Sequence, residues 1–134
     1  KNHDQINFPI GRSKNKEGLY AAHPEIKGEN FSDKDRTAIT EFNVLARFKN
    51  YTLLEIQIPT GRTHQIRVHL TAYGYPIVGD KLYGHKKLKT KKELSQIFLH
   101  ADYLSFIGPD GQKYEFTSDL PDKLQDFLKS LKKM

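Results

Sequence analysis

The eight residues "RTHQIRVH" place two guanidinium and two imidazole groups close together, at Arg62, His64, Arg67 and His69. Glycines bracket the stretch at Gly61 and Gly74. Such a cluster has three chemical uses: binding an anion, holding a metal, or moving a proton. A guanidinium is best matched by a carboxylate or phosphate, which accepts parallel hydrogen bonds. It is protonated at neutral pH and so is neither nucleophile nor base. Metal binding fits the spacing poorly. His64 and His69 are five apart, and an i, i+4 pair is what sets two imidazoles on one helix face. No nearby glutamate completes a ligand set, and no metal is expected. Nucleophilic catalysis also lacks its groups, since there is no cysteine and no serine in a nucleophile-elbow context.

These residues need an element to carry them. After "PTGR" the apolar residues Ile66, Leu70 and Tyr73 follow helical spacing. Residues 63–73 are predicted as a short helix, with Thr63 as N-cap, Gly74 just past the end and Pro76 beyond. Ile66, Leu70 and Tyr73 share the face that packs on a sheet, and His64, Arg67 and Thr71 share another. Arg67 then lies one turn into the helix, at least half buried. A buried guanidinium is costly unless a charge pairs with it. Arg67 therefore needs an acidic partner, either a protein carboxylate or a nucleic-acid phosphate. A local ion pair with no further role is the plain alternative. The turn Thr60–Gly61–Thr63 would add backbone N–H groups, a ready anion site.

The flanking segments supply the sheet. Phe42, Val44, Ala46 and Phe48 alternate with polar residues, as do Leu54, Ile56 and Ile58. With "KNY" as the turn, these read as an antiparallel hairpin. "QIFLHADYLSFIG" reads as a strand, "PDGQ" as a turn and "KYEFTS" as the returning strand. "LPDKLQDFLKSLKKM" reads as an amphipathic helix with Leu124, Phe127, Leu128 and Leu131 on one face. Apart from a short strand end at Phe8–Ser13, residues 1–36 read as loop. "YPIVGDKLYG" reads as a loop that buries Ile77 and Val78. The fold class is α+β: a mostly antiparallel sheet, a short helix after the TGRTHQIR turn and a C-terminal amphipathic helix.

Composition narrows the partners. The chain has 134 residues, 37% of them hydrophobic, enough for one domain or part of one. Its formal charge of +6 favours a polyanion, with nucleic acid first. A basic surface without a partner is the alternative. No apolar run approaches the roughly 20 residues that span a bilayer, so no membrane partner is expected. The absence of cysteine fits a reducing, cytoplasmic setting. The first residue is Lys1 rather than Met, and the chain is expected to be part of something longer.

The stretch "TGRTHQIRVHL…GYPIVGDKLYG" closely resembles the signature of RluA/RluD-type pseudouridine synthases. "FLHADYLSF" resembles that family's "LLHA" segment. "FPIGR", "AITEFNVLARF" and "FTSDLPDKL" also resemble segments of it, so the likeness runs over nearly the whole chain. The resemblance implies isomerisation of uridine to pseudouridine in RNA, without cofactor or metal. It implies that Arg67 pairs with and orders the catalytic aspartate. It places Arg62, His64 and Gln65 near the site as substrate-binding residues, with Leu99 lining the uracil pocket. It gives Asp80 and Tyr83 a structural role.

The chain departs from the family pattern in one respect. The "HRLDxxTSG"-like motif that carries the catalytic aspartate is absent, as is the "K.Y.A" tyrosine motif, and no aspartate here has that context. Residues 1–134 are therefore expected to be the C-terminal portion of a catalytic domain, inactive alone. A non-catalytic RNA-binding module on the same fold is the alternative. The partner is ribosomal or transfer RNA, with Lys86, Lys87, Lys89, Lys91 and Lys92 either contacting phosphates or forming solvated surface. A sheet left incomplete would expose strand edges and invite self-association without physiological meaning.

Overall fold

A computed structural model describes residues 2–14, 16–23, 35–84 and 94–133. The elements are β1 (His3–Ile6), β2 (Ile10–Arg12), β3 (Tyr20–Ala22), β4 (Thr40–Phe48), β5 (Tyr51–Gln57), α1 (Gln65–Tyr73), β6 (Tyr103–Ile107), β7 (Lys113–Thr117) and α2 (Asp122–Lys129). Among the described residues, every strand pair is antiparallel. The strands form a three-stranded sheet in the order β1-β4-β5 and two ribbons, β2-β3 and β6-β7. The expected α+β architecture with two helices is observed.

The β4–β5 hairpin turns at Lys49 and Asn50, where Asn50 takes a left-handed φ of 68°, a conformation asparagine tolerates better than most residues. A register shift falls between Val44 and Ala46, and Leu45 between them is exposed. β1 and β3 lie where only loop was expected. β1 reads "HDQI" and buries Ile6 alone because it is an edge strand on β4. β3 has three residues, too few to show a period.

α1 is covered on two sides. Leu70 joins Ile6 and Phe42 in one core cluster, with Ile66 and Tyr73 packed against it. Val68 joins Ile10 and Ala38 in a second, with Tyr20, Ala22 and Tyr83 around it. The helix is thus wedged between the three-stranded sheet and the β2–β3 ribbon. Each fully buried Leu, Ile, Val or Phe contributes about 1.5–3 kcal/mol.

Three boundaries differ from expectation. Thr63 is not the N-cap of α1: His64 is, at φ 52°, and it makes no side-chain cap bond. Gly74 does end α1 in the left-handed conformation, φ 102°. Residues 96–102 are not strand, because this segment ties itself to the preceding loop, the Phe98 N–H donating to the Val78 carbonyl at 2.8 Å. α2 stops at Lys129 because the tail beyond it turns back onto β4. There the Lys49 N–H donates to the Lys132 carbonyl at 2.8 Å, and Lys133 bridges Phe48. Ile77 and Val78 are half-buried rather than buried. Among the described residues, no helix is long and apolar enough to cross a membrane.

Candidate active-site floor

The carboxylate that Arg67 requires is Asp80. Arg67 Nε donates to Oδ2 at 3.0 Å and a terminal nitrogen donates to Oδ1 at 2.8 Å. The Asp80 side chain is 0% exposed and that of Arg67 is 19% exposed. The N–H groups of Leu82 and Tyr83 also donate to Oδ1, each at 3.1 Å. Burial alone would raise the Asp80 pKa. The Arg67 guanidinium and these two N–H groups outweigh it, and the net shift is downward. The hydrogen bond to Asp80 in turn raises the Arg67 pKa. The guanidinium carbon also sits 5.1 Å from the centre of the Tyr83 ring, within cation–π range. The structural role expected of Asp80 and Tyr83 is now specific: they clamp Arg67.

Two glycines make the 77–84 loop possible. Gly79 has φ +81°, and a Cβ there would lie 2.2 Å from the Gln96 carbonyl oxygen. At Gly84 a Cβ would lie 2.3 Å from the Asp80 carbonyl oxygen. The loop is therefore pressed against residues 96–98, which immediately precede Leu99. Leu99 is 37% exposed.

Gln65 belongs to the scaffold rather than to an exposed substrate face. It is 3% exposed. Its amide oxygen accepts from the Thr60 hydroxyl at 2.8 Å and the Arg62 N–H at 3.0 Å. Its amide nitrogen donates to the Ile39 carbonyl at 2.7 Å and to Thr40 Oγ1 at 3.0 Å. These four bonds use the full capacity of the amide. They also occupy the Arg62 N–H, one of the groups expected to bind an anion.

A buried relay continues from there. His69, 0% exposed, has Nε2 at 2.7 Å from the Phe8 carbonyl and Nδ1 at 2.7 Å from Thr40 Oγ1. A carbonyl only accepts, so Nε2 carries the proton and Nδ1 accepts from the Thr40 hydroxyl. Burial lowers the His69 pKa. His69 thus serves as a neutral core residue. Its partners stand 29 and 61 positions away in sequence, a distance that spacing alone does not reveal.

His64 and Arg62 lie at the surface end of α1. His64 Nδ1 is 2.8 Å from the Tyr83 hydroxyl, which also accepts from the Tyr20 N–H at 3.2 Å. Arg62 is exposed, and its Nε donates to the Thr37 carbonyl at 2.9 Å. The structure therefore brings His64, Arg67, Asp80 and Tyr83 together around one ring and sets Arg62 at the rim. Among the described residues, no three His, Asp or Glu side chains gather as a metal-binding group. Lys86, Lys87, Lys89, Lys91 and Lys92 lie outside the described residues.

The fold and this motif define a class. Residues 1–72 match the family model described as RNA pseudouridylate synthase. The human RNA pseudouridylate synthase domain containing 1 superposes with a TM-score of 0.72 at 23% identity, covering 100% of this chain and 62% of that one. An RNA pseudouridine synthase of Chloroflexus aurantiacus, itself uncharacterised, is 44% identical over 127 residues, 94% of this chain and 37% of that protein. The ribosomal large subunit pseudouridine synthase D of Buchnera aphidicola is 39% identical over 110 residues, 73% of this chain and 35% of that protein. This chain belongs to the RNA pseudouridylate synthase family, as an RluA/RluD-type member. It spans little more than a third of the length of these two curated relatives.

Proposed function

We propose that this chain is the C-terminal portion of the catalytic domain of a cytoplasmic RNA pseudouridine synthase. The whole enzyme isomerises a uridine of structured ribosomal or transfer RNA and needs no cofactor. The observation that carries this reading is the TGRTHQIR turn and helix holding a half-buried arginine against the buried Asp80 of the GDKLYG loop, in a chain of this family.

The reaction breaks the bond from the sugar C1′ to N1 of uracil and forms one from C1′ to C5. C5 then loses its hydrogen to solvent. A carboxylate acts at the sugar or the base, and the base must first leave its stack. The HRLD-type motif that would supply this carboxylate does not occur in residues 1–134. The task of Arg67 is to order that aspartate. Asp80 engages its Nε and one terminal nitrogen, which leaves Nη1, unbonded among the described residues, to reach a second carboxylate. Arg62 and His64 contact the RNA, and Leu99 borders the uracil. Gln65 acts indirectly, by fixing the turn.

A non-catalytic RNA-binding module is the second reading. The bidentate engagement of Arg67 by Asp80 favours it, because a clamped arginine is also what a purely structural role requires. Mapping pseudouridine in ribosomal and transfer RNA, with and without the gene, separates the two. Loss of modification at a discrete uridine is the expected result. Unchanged maps would favour the non-catalytic module.

A further inference from the structure

A groove of about 750 Å³ runs from the β2–β3 ribbon to the turn before α1. This is within the roughly 300–1,000 Å³ range of small-ligand clefts. Among the described residues, Arg12, Lys14, Arg36 and Arg62 line it, against a single described carboxylate, Asp35. All four cationic residues are exposed, whereas the Asp35 side chain is 7% exposed.

The backbone explains this asymmetry. Gly11 has no side chain, and a Cβ there would lie 2.0 Å from Asp35 Oδ1. The missing side chain is what allows the carboxylate to tuck in behind β2. There it lies 4.0 Å from His23 Nε2, which itself lies 3.3 Å from the Arg12 carbonyl oxygen. The residue after Asp35 is pinned as well, since Arg36 and Ile10 exchange backbone hydrogen bonds at 2.9 and 2.8 Å. On the opposite wall, the bond from Arg62 Nε to Thr37 steadies that guanidinium. The cations are therefore displayed on short, anchored segments while the acid is withdrawn.

We propose that this groove is a phosphate-binding subsite for a single RNA strand, with Arg12, Lys14 and Arg62 as its main contacts. The proposal rests on the reading of this chain as part of an RNA-modifying enzyme, and it adds where the strand beside the target nucleotide runs. The groove abuts the turn that leads into α1, so a strand lying in it passes the end of the helix that carries His64 and Arg67. The contacts are to phosphate and carry no sequence preference of their own.

The test compares equal charge removal at two places. Arg12→Gln with Lys14→Gln empties one wall of the groove, and Lys129→Gln with Lys132→Gln removes the same charge around the end of α2. Binding of a short oligouridine RNA to the intact chain and to both variants is measured from 50 to 200 mM salt, with circular dichroism as the folding check. Each phosphate contact on a single strand contributes about −0.7 to the slope of log K against log salt. The groove variant should flatten the slope by about 1.4, and the α2 variant should leave it unchanged. Equal flattening in both would reduce the effect to diffuse charge and overturn the subsite. An unchanged slope in the groove variant overturns it too, while RNA binding by the intact chain leaves the enzyme reading standing. No binding by the intact chain would overturn the subsite and leave the enzyme reading to the pseudouridine maps.

Discussion

Arg67 and Asp80 meet through two parallel hydrogen bonds of 3.0 and 2.8 Å, and the Asp80 side chain is wholly buried beneath them. Thirteen positions of sequence separate them, and the loop between closes as a clamp around a guanidinium. Breaking a buried pair by removing one partner costs about 3–5 kcal/mol, because the remaining charge stays buried. Arg67→Ala, which strands the buried Asp80, should destabilise the chain by about that much, and Asp80→Ala by less, because the Arg67 guanidinium reaches solvent. The double variant should cost less than the sum of the two. Urea unfolding of all four proteins checks this, and simple additivity would show that the clamp is not a unit.

The pH dependence of stability follows from two lowered pKa values. Burial holds the His69 pKa below its ordinary value. As pH falls below about 6.5, the unfolded chain takes up a proton at this histidine before the folded chain does. Stability from His69 is therefore complete above about 6.5 and is lost as pH falls toward the folded value. Asp80 is also held low, so its contribution is present above about 4 and is lost at more acid pH. The melting temperature should fall between pH 7 and 5.5. His69→Gln should flatten that part of the curve and leave the acid limb in place. A wild-type curve flat over this range would contradict the neutral, buried imidazole.

Gly79 and Gly74 both take positive φ, yet they should respond differently to alanine. A Cβ at Gly74 meets nothing within 4 Å, so Gly74→Ala should cost only the left-handed penalty, about 1–2 kcal/mol. At Gly79 the same penalty adds to a 2.2 Å approach to the Gln96 backbone. Gly79→Ala should be clearly the more damaging in a thermal melt. It should also loosen the Arg67–Asp80 clamp, and equal melting temperatures would speak against the packed 79–96 contact.

The β6–β7 hairpin carries one strongly apolar face. Leu104 pairs with Phe116 and Phe106 with Tyr114 across the ribbon, and all four are exposed. The opposite face holds Ser105, Thr117 and the Lys113–Glu115 ion pair at 3.0 Å, beside Tyr103 and Ile107. A two-stranded ribbon is only marginally stable alone. The chain is expected to self-associate through this apolar face as its concentration rises. Leu104→Lys with Phe116→Glu places opposite charges directly across the ribbon. This variant should sediment as a monomer, with unfolding free energy changed by no more than about 0.5 kcal/mol per site. A monomer at every concentration of the unsubstituted chain would contradict the expectation.

Much of this was legible in sequence because it is local. The alternation around Phe42 and Leu54 marks the β4–β5 hairpin, and Ile66, Leu70 and Tyr73 mark the face of α1 toward the sheet. The demand of Arg67 for an acid follows from helical position and the cost of burying a charge. What stayed hidden depends on contacts distant in sequence. Gln65 looks like a site residue in its motif, and only the positions of Ile39 and Thr40 reveal that its amide is spent on the turn. His69 resembles His64 by type, but its pairing with Phe8 and Thr40 makes it core. Thr63 has the chemistry of an N-cap, yet the Gln65 side chain already organises the turn. The β2–β3 ribbon is too short to show a period, so the basic groove beside it has no signature along the chain.

The central claim is that Arg67 and its clamp serve a pseudouridine synthase whose carboxylate lies outside residues 1–134. Tritium release from RNA labelled at uridine C5 tests it most directly. It would be measured with this chain and with a longer form that carries an aspartate-bearing HRLD segment ahead of residue 1. Release by the longer form, with none from this chain alone, is the predicted result. Release by this chain alone, or by neither protein on ribosomal and transfer RNA, would contradict it.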